Sequence, residues 1–292
     1  MRLEEILKNT RKEGYAAGSF SPRYVPMIQP ILKAAESCHS PAIVQISQKE
    51  MNRYGIRAKE FADEFFRQKK ELGITVPTTL HLDHTKDFEV IREAIEAGFE
   101  SVMIDASEYI FDENVEITRK VVEYAHAGNV SVEAELGKIG TTDMIETDTD
   151  EELYTDPGQA QEFVRLTGVD ALAVSVGTAH GVYTVKQPCV QFDIIKAIRS
   201  LTPVYLVLHG GSGVPSHMVE ASYAMEGGGI SKVNIATDLE LAFLESLGRK
   251  ERGDNQWSMA LSSDELAVGR EAVRKLVEEK ITHYLHSDGK AW

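Results

Sequence analysis

The chain has 292 residues, 42% of them hydrophobic, and a formal charge of −15 from 31 basic and 46 acidic residues. That is enough apolar material for a sizeable core, and an acidic surface argues against nucleic acid and anionic membrane as partners. No run reaches the roughly 20 apolar residues of a membrane span, and the charged start lacks a signal-peptide core. Cys38 and Cys189 lie far apart with no CxxC pair, which fits reduced thiols in a cytoplasmic protein.

Apolar, β-branched runs alternate with segments at helical spacing. In chain order the spacing predicts a strand at 15–19, a helix at 27–37, a strand at 42–46 and a helix at 56–72. A strand at 78–82, a helix at 88–97, a strand at 101–104 and a helix at 115–127 follow. Next come a strand at 131–135, a helix at 159–167, a strand at 171–176 and a helix at 192–200. Strands at 204–208 and 232–235 and a last helix at 265–284 complete the pattern. Gly98, Gly128 and Gly168 suit left-handed helix ends. The polar stretches 137–156 and 246–264 break the rhythm, and the first has the length of a lid or binding loop. Eight strand–helix units with no linker imply an α/β fold, one (β/α)8 TIM barrel over residues 1–292. A doubly wound sheet is the weaker alternative, because no GxGxxG follows the first strand.

In such barrels the chemistry sits at the C-terminal ends of the strands. Here those ends carry His81-Leu82-Asp83-His84, Glu133-Ala134-Glu135, Gly177-Thr178-Ala179-His180-Gly181, His209-Gly210-Gly211-Ser212-Gly213 and Asn234-Ile235-Ala236-Thr237-Asp238. A lone histidine is more often a hydrogen-bonded core residue. Three of them, His84, His180 and His209, on one rim point instead to Zn2+ with an open coordination position. His81 shares a strand face with Asp83 and is either a ligand-orienting residue or a satisfied core group. His39, His126, His217, His283 and His286 read as surface residues. The loops after strands seven and eight are the recurrent phosphate site of this fold, with backbone N–H groups at the glycines and hydroxyls from Ser212 and Thr237. Those glycines would otherwise only turn the chain. Ser47 is a weaker substrate contact, with a helix cap as its plainer role. Asp83 is placed to act as a general base, or else to cap the next helix.

These motifs, with Asp105-Ala106-Ser107 and Tyr154-Thr155-Asp156-Pro157, resemble the class II, metal-dependent ketose-bisphosphate aldolases, the fructose- and tagatose-bisphosphate enzymes, over roughly residues 15–244. The resemblance implies that His84, His180 and His209 hold zinc, with Glu135 as an outer or alternative ligand. Asp83 would be the acid/base at the aldehyde-derived oxygen. Gly181, Gly210, Gly211, Ser212, Asn234 and Thr237 would hold dihydroxyacetone phosphate. A monovalent cation (Na+ or K+) near that phosphate, a phosphorylated ketose as substrate and a homodimer or homotetramer are also implied.

The chain departs from the family mainly on the aldehyde side. The usual Gly-Gly-x-Glu-Asp is replaced by Gly140-Thr141-Thr142-Asp143-Met144-Ile145-Glu146, which leaves Glu146, then Asp143, as the proton-moving carboxylate. Phe-Asn becomes Phe20-Ser21, followed by Arg23, which is either a solvated loop residue or a partner for an anionic substrate tail. The Asp-Pro-Arg segment is absent. These changes point to an unusual distal end on the ketose. Two rival classes remain: a zinc hydrolase on the same fold, and a non-catalytic subunit of an aldolase assembly.

Overall fold

The structure, a computed structural model, describes residues 1–141, 154–181, 183 and 188–292. Eight parallel strands close into a barrel. They are β1 (Ala17–Phe20), β2 (Ala42–Ser47), β3 (Thr78–Thr85), β4 (Ser101–Ile104), β5 (Ser131–Leu136), β6 (Ala171–Val174), β7 (Tyr205–Leu208) and β8 (Ile230–Ile235). Closure is made where Ala17, Gly18, Ser19 and Phe20 of β1 pair with Lys232, Val233, Asn234 and Ile235 of β8. All eight expected strands are present, with ends shifted by a few residues. The largest shift is in β3, which continues through His84 to Thr85.

Amphipathic helices surround the barrel. The helix Ala58–Glu71 buries Phe61, Ala62 and Phe65 at helical spacing and leaves its lysines and glutamates outside. Asp156 caps the helix Pro157–Thr167 by accepting from the Gln159 N–H at 2.8 Å, with proline in its first turn. Gly98 and Gly168 take the left-handed ends expected of them. Gly128 does not: its φ is −91°, and Asn129 beside it carries the positive φ. Asparagine tolerates that conformation better than most residues.

Several helices have no counterpart in the expected pattern, among them Gln48–Tyr54, Ser216–Tyr223, Thr237–Ser246 and Asn255–Met259. The short N-terminal helix Leu3–Leu7 buries Leu3, Ile6 and Leu7 completely. They pack against Ala17, Ile43, Met103, Ala171, Ala173 and Val207 of the strands and so plug one end of the barrel. Burial of this kind is worth about 1.5–3 kcal/mol per large aliphatic side chain. No helix among the described residues is long and apolar enough to cross a membrane.

Candidate active site

The other end of the barrel opens into a cleft of about 460 Å3 lined by Asp83, His84, Asp105, Glu135, His180, Gly181, Gly210, Ser212, Asn234 and Thr237, among others. Asp83 and His84 are neighbours in β3, and a regular strand would point them to opposite faces. The register between β3 and β4 shifts between Leu82 and Thr85, and His84 has φ +27°. This bulge breaks the alternation, so both side chains reach the cleft. His180 does not end β6, which stops at Val174. It lies on a two-residue strand, Ala179–His180, that pairs with Gly140–Thr141 beyond the barrel.

The three histidines converge. His84 Nε2 lies 3.0 Å from His180 Nε2, and the His84 and His209 ring centroids are 4.4 Å apart. His209 Nδ1 is 3.6 Å from Glu135 Oε2, and both atoms are buried without a hydrogen-bond partner. A buried polar atom left unpaired is costly. A divalent ion facing both atoms would remove that cost. One ligand atom from each of His84, His180 and His209 lies within 4.8 Å of the others, and so do atoms of His84, Asp105 and Glu135. A nitrogen-rich set with a nearby carboxylate suits zinc. The residues therefore fit the metal that the sequence implies.

The far sides of two ligand candidates are held by carboxylates. Asp105 Oδ2 is 3.1 Å from His84 Nδ1, and Asp105 in turn accepts from the Ser107 hydroxyl at 2.7 Å. Glu133 Oε1 is 2.9 Å from His209 Nε2. Such outer partners fix the ring and leave the other nitrogen free for a metal. The charge balance agrees. Burial alone would lower the His84 pKa, but Asp83, the Asp105 hydrogen bond and Glu135 outweigh it and raise it to about 10. Burial and the His84 charge push His180 down to about 3 and His209 well below its ordinary value. Burial, then Asp105, raises Glu135 to about 8. Three imidazoles and two carboxylates that cannot all hold their ordinary charges are thus packed at one buried point.

Asp83 is 5% exposed and caps no helix; the following helix is capped by Asp87. Gln45 Nε2 donates to Asp83 Oδ2 at 3.1 Å and Asn234 Nδ2 donates to Oδ1 at 3.0 Å. Two amide donors fix the carboxylate beside the histidines. Across the cleft, Ser212 Oγ accepts from the N–H groups of Ala236 and Asp238 at 3.3 and 3.2 Å, at the start of the helix Thr237–Ser246. That helix end has no side-chain cap of its own and so has N–H groups suited to an anion. Gly210 has φ +66°, and a Cβ there would sit 2.3 Å from Ala179 O; one on Gly211 would sit 2.6 Å from Val233. These glycines are required by close backbone approach as well as by any ligand.

Ser47 lines the cleft, but its hydroxyl accepts from the Glu50 N–H at 3.1 Å as the N-cap of the helix Gln48–Tyr54, which is its plainer role. Arg23 is not a solvated loop residue. It bonds Glu50 at 3.0 Å, pairs with Glu240, and reaches Thr237 Oγ1 at 3.3 Å. Glu146 and Asp143 lie outside the described residues. His81 lies outside the three-histidine group, with its Nδ1 2.8 Å from Ser101 Oγ. His39, His126, His217, His283 and His286 are exposed, as expected. The sequence reading gave no role to Gln45 or Lys232. Gln45 pairs in register with His81, and Lys232 stands two residues before Asn234, so both had a strand-face signal.

Comparison with known proteins agrees with this geometry. Residues 1–290 match the family model described as fructose-bisphosphate aldolase class-II. The chain is 38% identical to a fructose-bisphosphate aldolase of Geobacillus stearothermophilus over 291 residues, covering 99% of this chain and 98% of that one. It is 36% identical to the Staphylococcus epidermidis enzyme of the same name, with 97% and 96% covered. Among solved structures, the YdjI aldolase of Escherichia coli K12 superposes with a TM-score of 0.83 at 31% identity, covering 99% and 98% of the two chains. Those relatives favour an aldolase over a hydrolase or a silent subunit, and they agree with the barrel, the cleft and the histidine cluster in assigning this chain to the class II fructose-bisphosphate aldolase family, as a carbon–carbon lyase.

Proposed function

We propose that the enzyme reversibly cleaves a ketose 1-phosphate or ketose bisphosphate to dihydroxyacetone phosphate and an aldehyde, with zinc held by His84, His180 and His209. The observation that carries this reading is the unpartnered buried pair, His209 Nδ1 and Glu135 Oε2, facing the histidine cluster beside a fixed Asp83. Zinc would supply a Lewis acid at the ketone oxygen, where negative charge builds as the carbon–carbon bond breaks. Asp83 takes the proton from the hydroxyl on the carbon that becomes the aldehyde, and returns it in the synthetic direction. Gln45 and Asn234 hold that carboxylate in place. Gly181, Gly210, Gly211, Ser212, Asn234 and Thr237 hold the ketone phosphate, with the helix N–H groups at Ala236 and Asp238 exchanging Ser212 for phosphate oxygens or sharing it with them. Glu146, with Asp143 as second choice, moves the proton on dihydroxyacetone phosphate. Glu135 is an outer or alternative ligand, and Ser47 a substrate contact at the rim. By family resemblance a monovalent cation (Na+ or K+) accompanies the phosphate.

The distal half of the substrate differs from fructose 1,6-bisphosphate in this reading. Gly-Gly-x-Glu-Asp, Phe-Asn and Asp-Pro-Arg are missing from the sequence. Arg23 is engaged by Glu50 and Glu240, and Lys86 pairs with Glu108; Lys49, Arg53 and Lys138 also line the cleft and are exposed. We further read residues 1–292 as one barrel domain, assembled as a homodimer or homotetramer in the cytoplasm, in keeping with the acidic surface and two free cysteines. The test is kcat/KM across a panel of ketose 1-phosphates and bisphosphates, with dihydroxyacetone phosphate release as the signal. Fructose 1,6-bisphosphate should rank well below the best substrate. If it ranks first, the distal reading is wrong; if no ketose phosphate releases dihydroxyacetone phosphate, the reaction itself is wrong.

A further inference from the structure

Beneath the histidine cluster the barrel interior is filled by charge. Lys232 of β8, Glu133 of β5 and His81 of β3 are all fully buried. Lys232 Nζ donates to Glu133 Oε2 at 2.8 Å and lies 3.4 Å from His81 Nε2. The other Glu133 oxygen is the one 2.9 Å from His209 Nε2. Barrel interiors are ordinarily packed with branched aliphatic side chains. A buried ion pair is often no more stabilising than well-packed hydrophobic residues in its place. Stability alone is therefore a poor account of this lysine.

The pattern of donors and acceptors gives a better one. An ammonium has only donors. The His81 nitrogen that faces it must therefore accept, which puts the His81 proton on Nδ1, where it is donated to Ser101 Oγ. Glu133, paired with Lys232, is an acceptor at both oxygens, so His209 must present N–H at Nε2. That leaves His209 Nδ1 as the nitrogen with a lone pair, and it is the buried, unpartnered atom beside Glu135. One buried cation thus sets the direction of every hydrogen bond from Ser101 to His209.

We propose that Lys232 is a positioning residue for the metal: through Glu133 it fixes the ring orientation and tautomer of His209, so that Nδ1 meets the ion. This rests on the reading of His209 as a metal ligand. Without Lys232 the Glu133 carboxylate loses the partner that aims it, and the imidazole loses its anchor.

The experiment measures zinc affinity by chelator competition, and thermal unfolding, in the wild type, in Lys232→Met and in the double variant Lys232→Met/Glu133→Gln. The double variant removes both members of the ion pair and so leaves neither charge without the other, and its unanchored amide can turn either oxygen or NH2 toward His209. It should unfold cooperatively yet bind zinc about 10–100-fold more weakly, the usual scale for losing an outer partner of a ligand. Zinc binding equal to wild type in that folded variant overturns the proposal. His209→Ala separates the two levels. Undiminished zinc there refutes the metal site itself, whereas zinc lost in His209→Ala but kept in the double variant refutes only the role of Lys232. A measurement on the unmutated protein stands whatever the variants do. With isotope-labelled histidine and NMR-active cadmium in place of zinc, the metal coupling should appear at His209 Nδ1 with the proton on Nε2. Coupling at Nε2 overturns the proposal.

Discussion

Replacing Asp83 by alanine separates catalysis from metal binding. The carboxylate accepts from Gln45 and Asn234 at 3.1 and 3.0 Å, so its two hydrogen bonds are to amides. Removing it takes away the group that moves the proton, which for general acid–base catalysis is worth about 10²–10⁴ in kcat. At 1.36 kcal/mol per tenfold, that is roughly 3–5 kcal/mol of transition-state stabilisation. The ground state also suffers, because two amide donors lose their acceptor. Each such loss costs about 1–3 kcal/mol when the donor stays buried and less when water replaces the carboxylate. Gln45, Asp83 and Asn234 all line the cleft, so water can fill the space left by the carboxylate and the variant should still fold. The assay is dihydroxyacetone phosphate release on the best ketose phosphate, with zinc content and thermal unfolding measured on the same sample. The expected outcome is full zinc, a small loss of stability and a kcat lower by about 10²–10⁴. A zinc-replete, folded Asp83→Ala enzyme with near-normal kcat would remove Asp83 from the mechanism.

Other outcomes follow from the same geometry. Ser212→Ala should raise KM for every ketose 1-phosphate by a similar factor, because all share that phosphate; a loss confined to one substrate would move Ser212 to the aldehyde side. Gly210→Ala should destabilise the fold, since the backbone is at φ +66° and the new Cβ meets Ala179 O at 2.3 Å; strain of this kind is worth about 1–3 kcal/mol, and an unchanged Tm would refute it. Glu240 should give an acid-labile contribution to stability. Burial acts to raise its pKa, but Arg23, Tyr54 and Arg252 outweigh burial and hold it below the ordinary value. The unfolded chain therefore binds the proton first as pH falls. The contribution is complete above the ordinary glutamate pKa and is lost as pH drops through the folded value. Urea unfolding of Glu240→Gln should show a deficit near neutral pH that shrinks on acidification; a deficit independent of pH would contradict this.

The barrel was legible because eight apolar runs alternate with helical spacing, and the fold's own geometry sends strand ends to one rim. That is why His84, His180, His209, Asp83 and Ser212 can be gathered from the sequence. What stayed hidden depends on contacts between distant strands or on backbone that no residue type announces. The bulge that turns both Asp83 and His84 inward sits at a histidine with positive φ, where glycine would have been the usual sign. The helix Gln48–Tyr54 buries only Met51 and Tyr54, too little for a periodic pattern, so the helix went unseen although a cap was already the plainer role for Ser47. Arg23 looked solvated because its partners, Glu50 and Glu240, come from elsewhere in the chain. The pairing of Lys232 with Glu133 crosses the barrel and has no local signature.

Titrating zinc into chelator-stripped enzyme tests the central claim most directly. Bound zinc and dihydroxyacetone phosphate release should rise together and saturate at about one ion per chain, as expected for a single three-histidine site. His84→Ala, His180→Ala and His209→Ala should each abolish both responses. Full cleavage activity in the stripped chain, or zinc bound undiminished in the triple variant, would contradict the account.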